Sequence, residues 1–255
     1  MSELNLTQAT QEYVTRLGDD AVVLGHRISE WCSNAPFLEE DLALQNVALD
    51  FIGRARMYYS YAAELANDGR TEDDFAYMRD HRQYQNLLLM ELPRGDFAYT
   101  MVRQLFVDVY NQLYLEQLIQ SKDSTLAAIA SKAIKETRYH LRRSHEWVLR
   151  LGIGTAESHQ RSQQALDDIF GFTHELFDVD TLEQQLVDAG IAVDSSTLKR
   201  PWTQQVTDIL NEATLKIPQD EWFVRGGREG YHTEYLGHLL NEMQCVHRAY
   251  PGQQW

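Results

Sequence analysis

Cysteine, proline and positive charge are all scarce in this chain of 255 residues. The two cysteines, Cys32 and Cys245, stand far apart and show no metal-ligand spacing, which excludes a thiolate metal site. No signal peptide precedes them, so the expected setting is the reducing cytoplasm, with both thiols free. Five prolines and few alternating β-branched runs argue against a sheet and for an all-α fold. No apolar run approaches 18 residues, so no membrane-spanning helix is expected. Lysine and arginine number 23 against 38 acidic residues, a net charge of −15. That balance excludes a basic nucleic-acid footprint and disfavours an anionic membrane, and it suits docking to basic partners. Glycine-rich phosphate loops are missing too: Gly226-Gly-Arg-Glu-Gly230 follows no strand. Ser29 and Ser33 lack the context of a nucleophile elbow.

What the sequence does have is helical periodicity. Leu6–Trp31 carries the stripe Val14, Leu17, Ala21, Leu24 and Ile28. Leu38–Leu65 carries Leu44, Val47, Ala48, Phe51, Ala55, Tyr58, Ala62 and Leu65, with Arg54 at the edge. Leu42, Leu49, Ile52 and Tyr59 add apolar residues on its other faces, so this helix is expected to be buried on several sides. Asp73–Leu89 reads as a shorter helix and Asp96–Gln120 as a long one. Asp123 or Ser124 caps the next, which runs to Gly152-Ile-Gly154. Four long helices with short connections predict a ferritin-like four-helix bundle core over about 6–151. A helical extension over 155–255 follows, without a compelling domain boundary. Within it, Ser158–Phe172 and Thr181–Ala189 read as helices, Ser195–Leu215 as one interrupted at Pro201, Pro218–Gly230 as an ordered loop and Tyr231–Tyr250 as the last helix.

The stretch Ser131–Leu151 organises the candidate chemistry. Its core stripe is Leu126, Ala130, Ala133, Thr137, Leu141, Ser144, Val148 and Leu151. Thr137 is central and His140 lies on the flank one turn on. A di-iron bundle places Glu-x-x-His at this spacing on two helices, with one carboxylate from each of two others. Here the carboxylate is absent, and the only Glu-x-x-His in the chain, Glu229-Gly-Tyr-His232, falls in a glycine-rich loop. Glu136 sits off the stripe and reads as an ion-pair partner of nearby bases. Glu234 and His238 share a face with His232 nearby, but two ligands do not make a site, and a hydrogen-bonded pair or an interface contact is preferred. Asp108, in an apolar run, needs a partner. A buried salt bridge with Arg54 or His140 is preferred over a metal ligand or base. Tyr58, Tyr59, Tyr61, Trp147, Trp202 and Trp222 read as core packing or as contacts between subunits rather than a substrate pocket. Arg142-Arg143 reads as a solvated face rather than a phosphate grip.

Segments spread over nearly the whole chain carry a resemblance. They include Leu17-Gly-Asp, Ile28-Ser-Glu-Trp-Cys32, Asp41-Leu-Ala-Leu44 and Ser60-Tyr-Ala-Ala-Glu-Leu65. Further along come Ala133-Ile-Lys-Glu136 with Tyr139-His-Leu-Arg142, Ile191-Ala-Val-Asp194, Asn211-Glu-Ala-Thr-Leu215, His232-Thr-Glu234 with Leu236-Gly237, Glu242-Met-Gln244 and Pro251-Gly-Gln-Gln-Trp255. Together they resemble the C subunits (PaaC) of the bacterial ring-1,2-phenylacetyl-CoA epoxidase, a multicomponent monooxygenase. The resemblance implies a ferritin-like fold and a tight heteromer with a related catalytic A subunit that holds the di-iron centre. It also implies a reductase that brings electrons from NADPH, and epoxidation of the substrate ring with O2.

Carried over by that resemblance, the ligand positions of the catalytic relative fall at Ala21, Phe51, Arg54, Asp108, Thr137 and His140, and four of the six are non-ligands. Ala21, Phe51 and Thr137 are central in their stripes, and Arg54 and His140 lie three residues beyond Phe51 and Thr137. The expectation is therefore a structural subunit with no metal, cofactor or catalytic residue of its own, in which Arg54 near Asp108 would compensate the missing iron charge. Self-association is also open. Two other readings stand beside it: an active di-iron oxygenase or ferritin-like iron protein using Asp108, His140 and His232/Glu234/His238, and a stand-alone helical acyl-CoA binder.

Overall fold

The first long helix begins where Asn5 accepts a 2.8 Å hydrogen bond from the Gln8 amide, satisfying one of the orphan donors of the opening turn. In the computed structural model, which describes residues 5–218 and 222–253, helix α1 runs Leu6–Ser29. It is enclosed on most sides: besides its apolar stripe it buries Arg16, Asp19 and Arg27. Helix α2, Leu38–Ala66, returns along it and is closed by Asn67 in the left-handed region (φ 47°). The two helices approach closely at Gly18, where a Cβ would come within 2.4 Å of the Tyr59 ring.

All described residues are helical, turn or irregular, and none is in a strand. They fall into two compact units, Met1–Pro93 with Gly226–Trp255, and Arg94–Arg225. The first unit adds α3 (Glu72–Tyr77), a single 3-10 turn at His81–Gln83, α4 (Leu88–Glu91) and the terminal helix α10 (Glu234–Ala249). The second contains α5 (Phe97–Leu118), α6 (Ser124–Ile153), α7 (Ala156–Ile169), α8 (Thr181–Ala189) and α9 (Lys199–Glu212). In that second unit α5 and α6 pair lengthwise. The Trp202 indole of α9 donates to the Phe106 carbonyl of α5 at 2.9 Å. Gly152, near the end of α6, lies so close to α9's end that a Cβ would stand 2.3 Å from the Ala213 carbonyl oxygen.

Several expectations are corrected. The predicted helix over Asp73–Leu89 breaks after Tyr77. Asp80 forms a capping box with Gln83, and the chain then extends at Tyr84 and Leu87. The extended backbone is held from α1: the Gln85 amide donates to Asp19 and the Leu87 amide to Asp20, at 2.8 and 2.7 Å. Pro201 does not interrupt a helix but sits in the first turn of α9, where its missing N–H has no intrahelical partner to lose. The last helix starts at Glu234, and its Tyr235 and Val246 are exposed rather than core. On α2 the stripe from Leu44 to Ala62 is buried, as is Tyr59, but Leu42 and Leu49 remain 57% and 64% exposed. Neighbours cover one broad side of that helix, not several. Residues 219–221 of the expected loop and Gln254–Trp255 of the closing motif lie outside the described residues.

Candidate functional site

Of the six positions singled out, Ala21, Phe51 and Arg54 belong to the first unit. Ala21 and Phe51 are core residues of α1 and α2, at 4% and 2% exposure. Arg54 follows one turn after Phe51, is also buried, and holds its guanidinium 4.9 Å above the centre of the Phe51 ring. A desolvated cation over an aromatic face is attracted by the ring quadrupole. Tyr58, one further turn along α2, is buried too. Burial pushes its hydroxyl up to about 12, against the opposing pull of the Arg54 charge. The three helical positions therefore present a methyl, a ring and a fixed cation.

Asp108, Thr137 and His140 belong to the second unit, on α5 and α6, and all three are buried. Asp108 accepts a 2.8 Å hydrogen bond from the Ser144 hydroxyl, one turn beyond His140, and a 3.2 Å bond from the Gln104 amide one turn back on its own helix. Neither partner was anticipated, although Ser144 stands in the predicted stripe. The preference for a solvated Arg142-Arg143 pair holds for Arg142 alone. Arg143 is buried and points an Nη1–H at the Met101 sulfur, 3.7 Å away. Of the six aromatic residues, Tyr58, Tyr59 and Trp202 are buried as core packing requires, Tyr61 and Trp147 are half-buried, with Trp147 meeting Phe97 edge-on at 4.9 Å, and Trp222 is 37% exposed.

The terminal histidine group does not assemble. His232 turns inward and its side chain is 2% exposed, whereas Glu234 and His238 face solvent. Among the described residues no group of three His, Cys, Asp or Glu side chains is arranged to hold a metal ion, and no helix is long and apolar enough to cross a membrane.

His232 instead joins a buried polar lattice in the first unit that periodicity alone did not reveal. Its Nδ1 is 2.7 Å from Glu91 Oε2, and its Nε2 is 2.8 Å from the Tyr84 carbonyl. Both neighbours are acceptors, so both ring nitrogens carry hydrogen and the ring is an imidazolium. Burial opposes that charge, but the Glu91 hydrogen bond and its negative charge, with the Tyr84 carbonyl, outweigh it and raise the pKa. The other Glu91 oxygen accepts from the amide and hydroxyl of Thr233 at 2.6 and 2.8 Å. Asp20 takes a bidentate bond from Arg228, 208 residues away. Asp19 accepts from Tyr59, Gln85 and Arg79. These groups fasten the terminal segment and residues 79–91 to α1. One signal was visible: Asp19-Asp20 interrupts an otherwise apolar run from Leu17 to Leu24.

A model of the family described as "Phenylacetic acid catabolic protein" matches residues 2–255 of the chain. A relative in Escherichia coli K12, the C subunit of 1,2-phenylacetyl-CoA epoxidase, is 51% identical over 243 residues, which span 95% of this chain and 98% of the relative.

Proposed function

Because this chain belongs to the phenylacetic acid catabolic protein family, whose fold is ferritin-like, we propose that it is the structural C subunit of a phenylacetyl-CoA epoxidase. In this reading it binds and stabilises the catalytic di-iron A subunit, alongside a reductase, in aerobic phenylacetate breakdown. It contributes neither iron nor catalytic groups. The match to the Escherichia coli relative over nearly its whole length supports the assignment to that complex.

The observation that carries the non-catalytic part is the Phe51–Arg54 pair. Iron needs oxygen and imidazole donors, and these positions offer an aromatic ring and a cation that stays charged at any working pH. A unit charge ~5 Å from a dication would oppose binding by about 7 kcal/mol, even at an effective dielectric constant near 20. Ala21 and Thr137 add no carboxylate.

Two measurements test this. Co-expression with the catalytic subunit should raise that subunit's solubility and permit epoxidation of phenylacetyl-CoA. If the catalytic subunit is equally soluble and active without this chain, the structural role is refuted. Metal analysis of the purified chain after dialysis should find no stoichiometric iron. Stoichiometric iron that survives dialysis would establish the iron-protein reading instead.

A further inference from the structure

The outer face of α2 keeps leucines in solvent. Leu38, Leu42 and Leu49 are 69%, 57% and 64% exposed. With Ile52 they lie on one face of the helix, at steps of four, seven and three residues, and Gln45 occupies the position between Leu42 and Leu49. At the C-terminal end this face opens into a recess of about 280 Å³ whose wall is mixed, Val22, Ile52, Ala55 and Tyr59 on one hand and the charged Arg56, Glu72 and Asp73 on the other. The leucines are grouped on one helix face rather than scattered singly, and exposed apolar groups of that kind mark interaction sites.

The rim of this face is acidic. Glu39, Glu40 and Asp41 form the first turn of α2, and Asp50 and Glu64 follow along it. Arg56 is the one exposed base on the helix. A second copy of the chain would bring the same acidic rim and another −15 of net charge, so like charges would meet around the apolar centre. The charge pattern selects a partner of the opposite kind.

We propose that the outer face of α2 is the docking surface for the catalytic subunit, through a helix of that subunit with an apolar seam flanked by lysine and arginine. This rests on the function proposed above and specifies its contact. The leucines supply the apolar centre, and the acidic rim pairs with the basic flanks. An apolar centre with a polar rim is the anatomy of a standard interface of ~1,600 Å² in total.

The test is titration and co-purification of full-length chain with the catalytic subunit, using wild type, Leu42→Asp/Leu49→Asp, and Val246→Asp as a control at another exposed apolar position. Circular dichroism and melting temperature verify that each variant folds. The double variant should bind at least 100-fold more weakly, and the control should bind like wild type. Wild-type affinity should fall as salt is raised, because the rim charges are exposed. If the double variant captures the catalytic subunit as well as wild type does, the surface is wrong while the structural role stands. If wild type captures none, the structural role itself fails. If the double substitution only converts a dimer of this chain to monomer and leaves capture intact, a second copy covers the face and the proposal is overturned.

Discussion

Asp19→Ala is the sharpest perturbation of the first unit. The carboxylate is fully buried and accepts from the Tyr59 hydroxyl at 2.6 Å, the Gln85 amide at 2.8 Å and Arg79 Nη1 at 3.1 Å, with Arg79 Nη2 also in contact. Arg79 is itself 12% exposed and lies over the Tyr84 ring, so it cannot turn to water without disturbing α3 and the following segment. Removing one member of a buried ion pair costs about 3–5 kcal/mol, because the other charge stays desolvated. The orphaned amide and hydroxyl add to this, but not additively. A loss of about 4 kcal/mol is expected, and with 2–4 °C per kcal/mol for a protein of this size the melting temperature should fall by about 8–16 °C. Thermal unfolding followed by circular dichroism reads it. Asp68, which meets Arg70 at a similar 2.8 Å but on the surface, is the control, and Asp68→Ala should leave the melting temperature unchanged. Replacing both partners, Asp19→Leu with Arg79→Met, should recover part of the loss, since it leaves no unpaired charge. A fall of under about 3 °C for Asp19→Ala would show that water or rearranged donors reach the site and that the lattice is not closed.

Other consequences are separable from that one. The His232 imidazolium has a pKa above its ordinary 6.5, so its contribution is fully present below pH 6.5 and is lost as pH rises through the higher folded-state value. His232→Gln should lower the melting temperature of wild type at acidic pH and converge on it under alkaline conditions, and a constant difference across pH would contradict the charged state. In the second unit, Gly152→Ala places a methyl against the Ala213 carbonyl, backbone that cannot yield as a side chain could. It should destabilise by about 1–3 kcal/mol, read as a lower denaturation midpoint with unchanged m value, and an unchanged midpoint would mean that the end of α9 shifts freely.

Helix positions were legible wherever the signal was local. Asp96 and Asp123 cap α5 and α6 with their own carboxylates, and α8 runs over the predicted residues from the Asp180 cap to a left-handed Gly190. What failed was decided by partners distant in sequence. The segment after Tyr77 has enough helix formers for another turn, but Asp19 and Asp20 offer its amides better acceptors in an extended form. Spacing alone does not single out those two carboxylates, because adjacent positions on a helix point some 100° apart and no single stripe contains both. The candidate ligand positions were legible as core positions, each central in a stripe or on its flank and each buried. Their immediate partners were not, because Ser144 and Gln104 reach Asp108 along and across helices in a way that spacing does not specify. The exposure of Leu42 and Leu49 was missed for a related reason. Apolar residues on two sides of a helix read as two buried sides, whether the second cover is supplied by the chain or by a partner.

Helix α2 has two sides with different work. Its inner side is fixed to α1 by the Tyr59 hydroxyl on Asp19 and by the close approach at Gly18, and its outer side offers leucines between acidic residues. An interface built on a helix anchored in this way loses little conformational freedom on docking, which favours affinity for a given area. The two sides should also dissociate experimentally. Asp19→Ala lowers stability and weakens partner capture only as far as it unfolds the unit. Leu42→Asp with Leu49→Asp leaves melting near wild type, because neither side chain is buried, and abolishes capture. A chain whose inner substitutions changed capture at temperatures where the unit stays folded would instead couple core to surface, and α2 would then be a conformational element rather than a fixed platform.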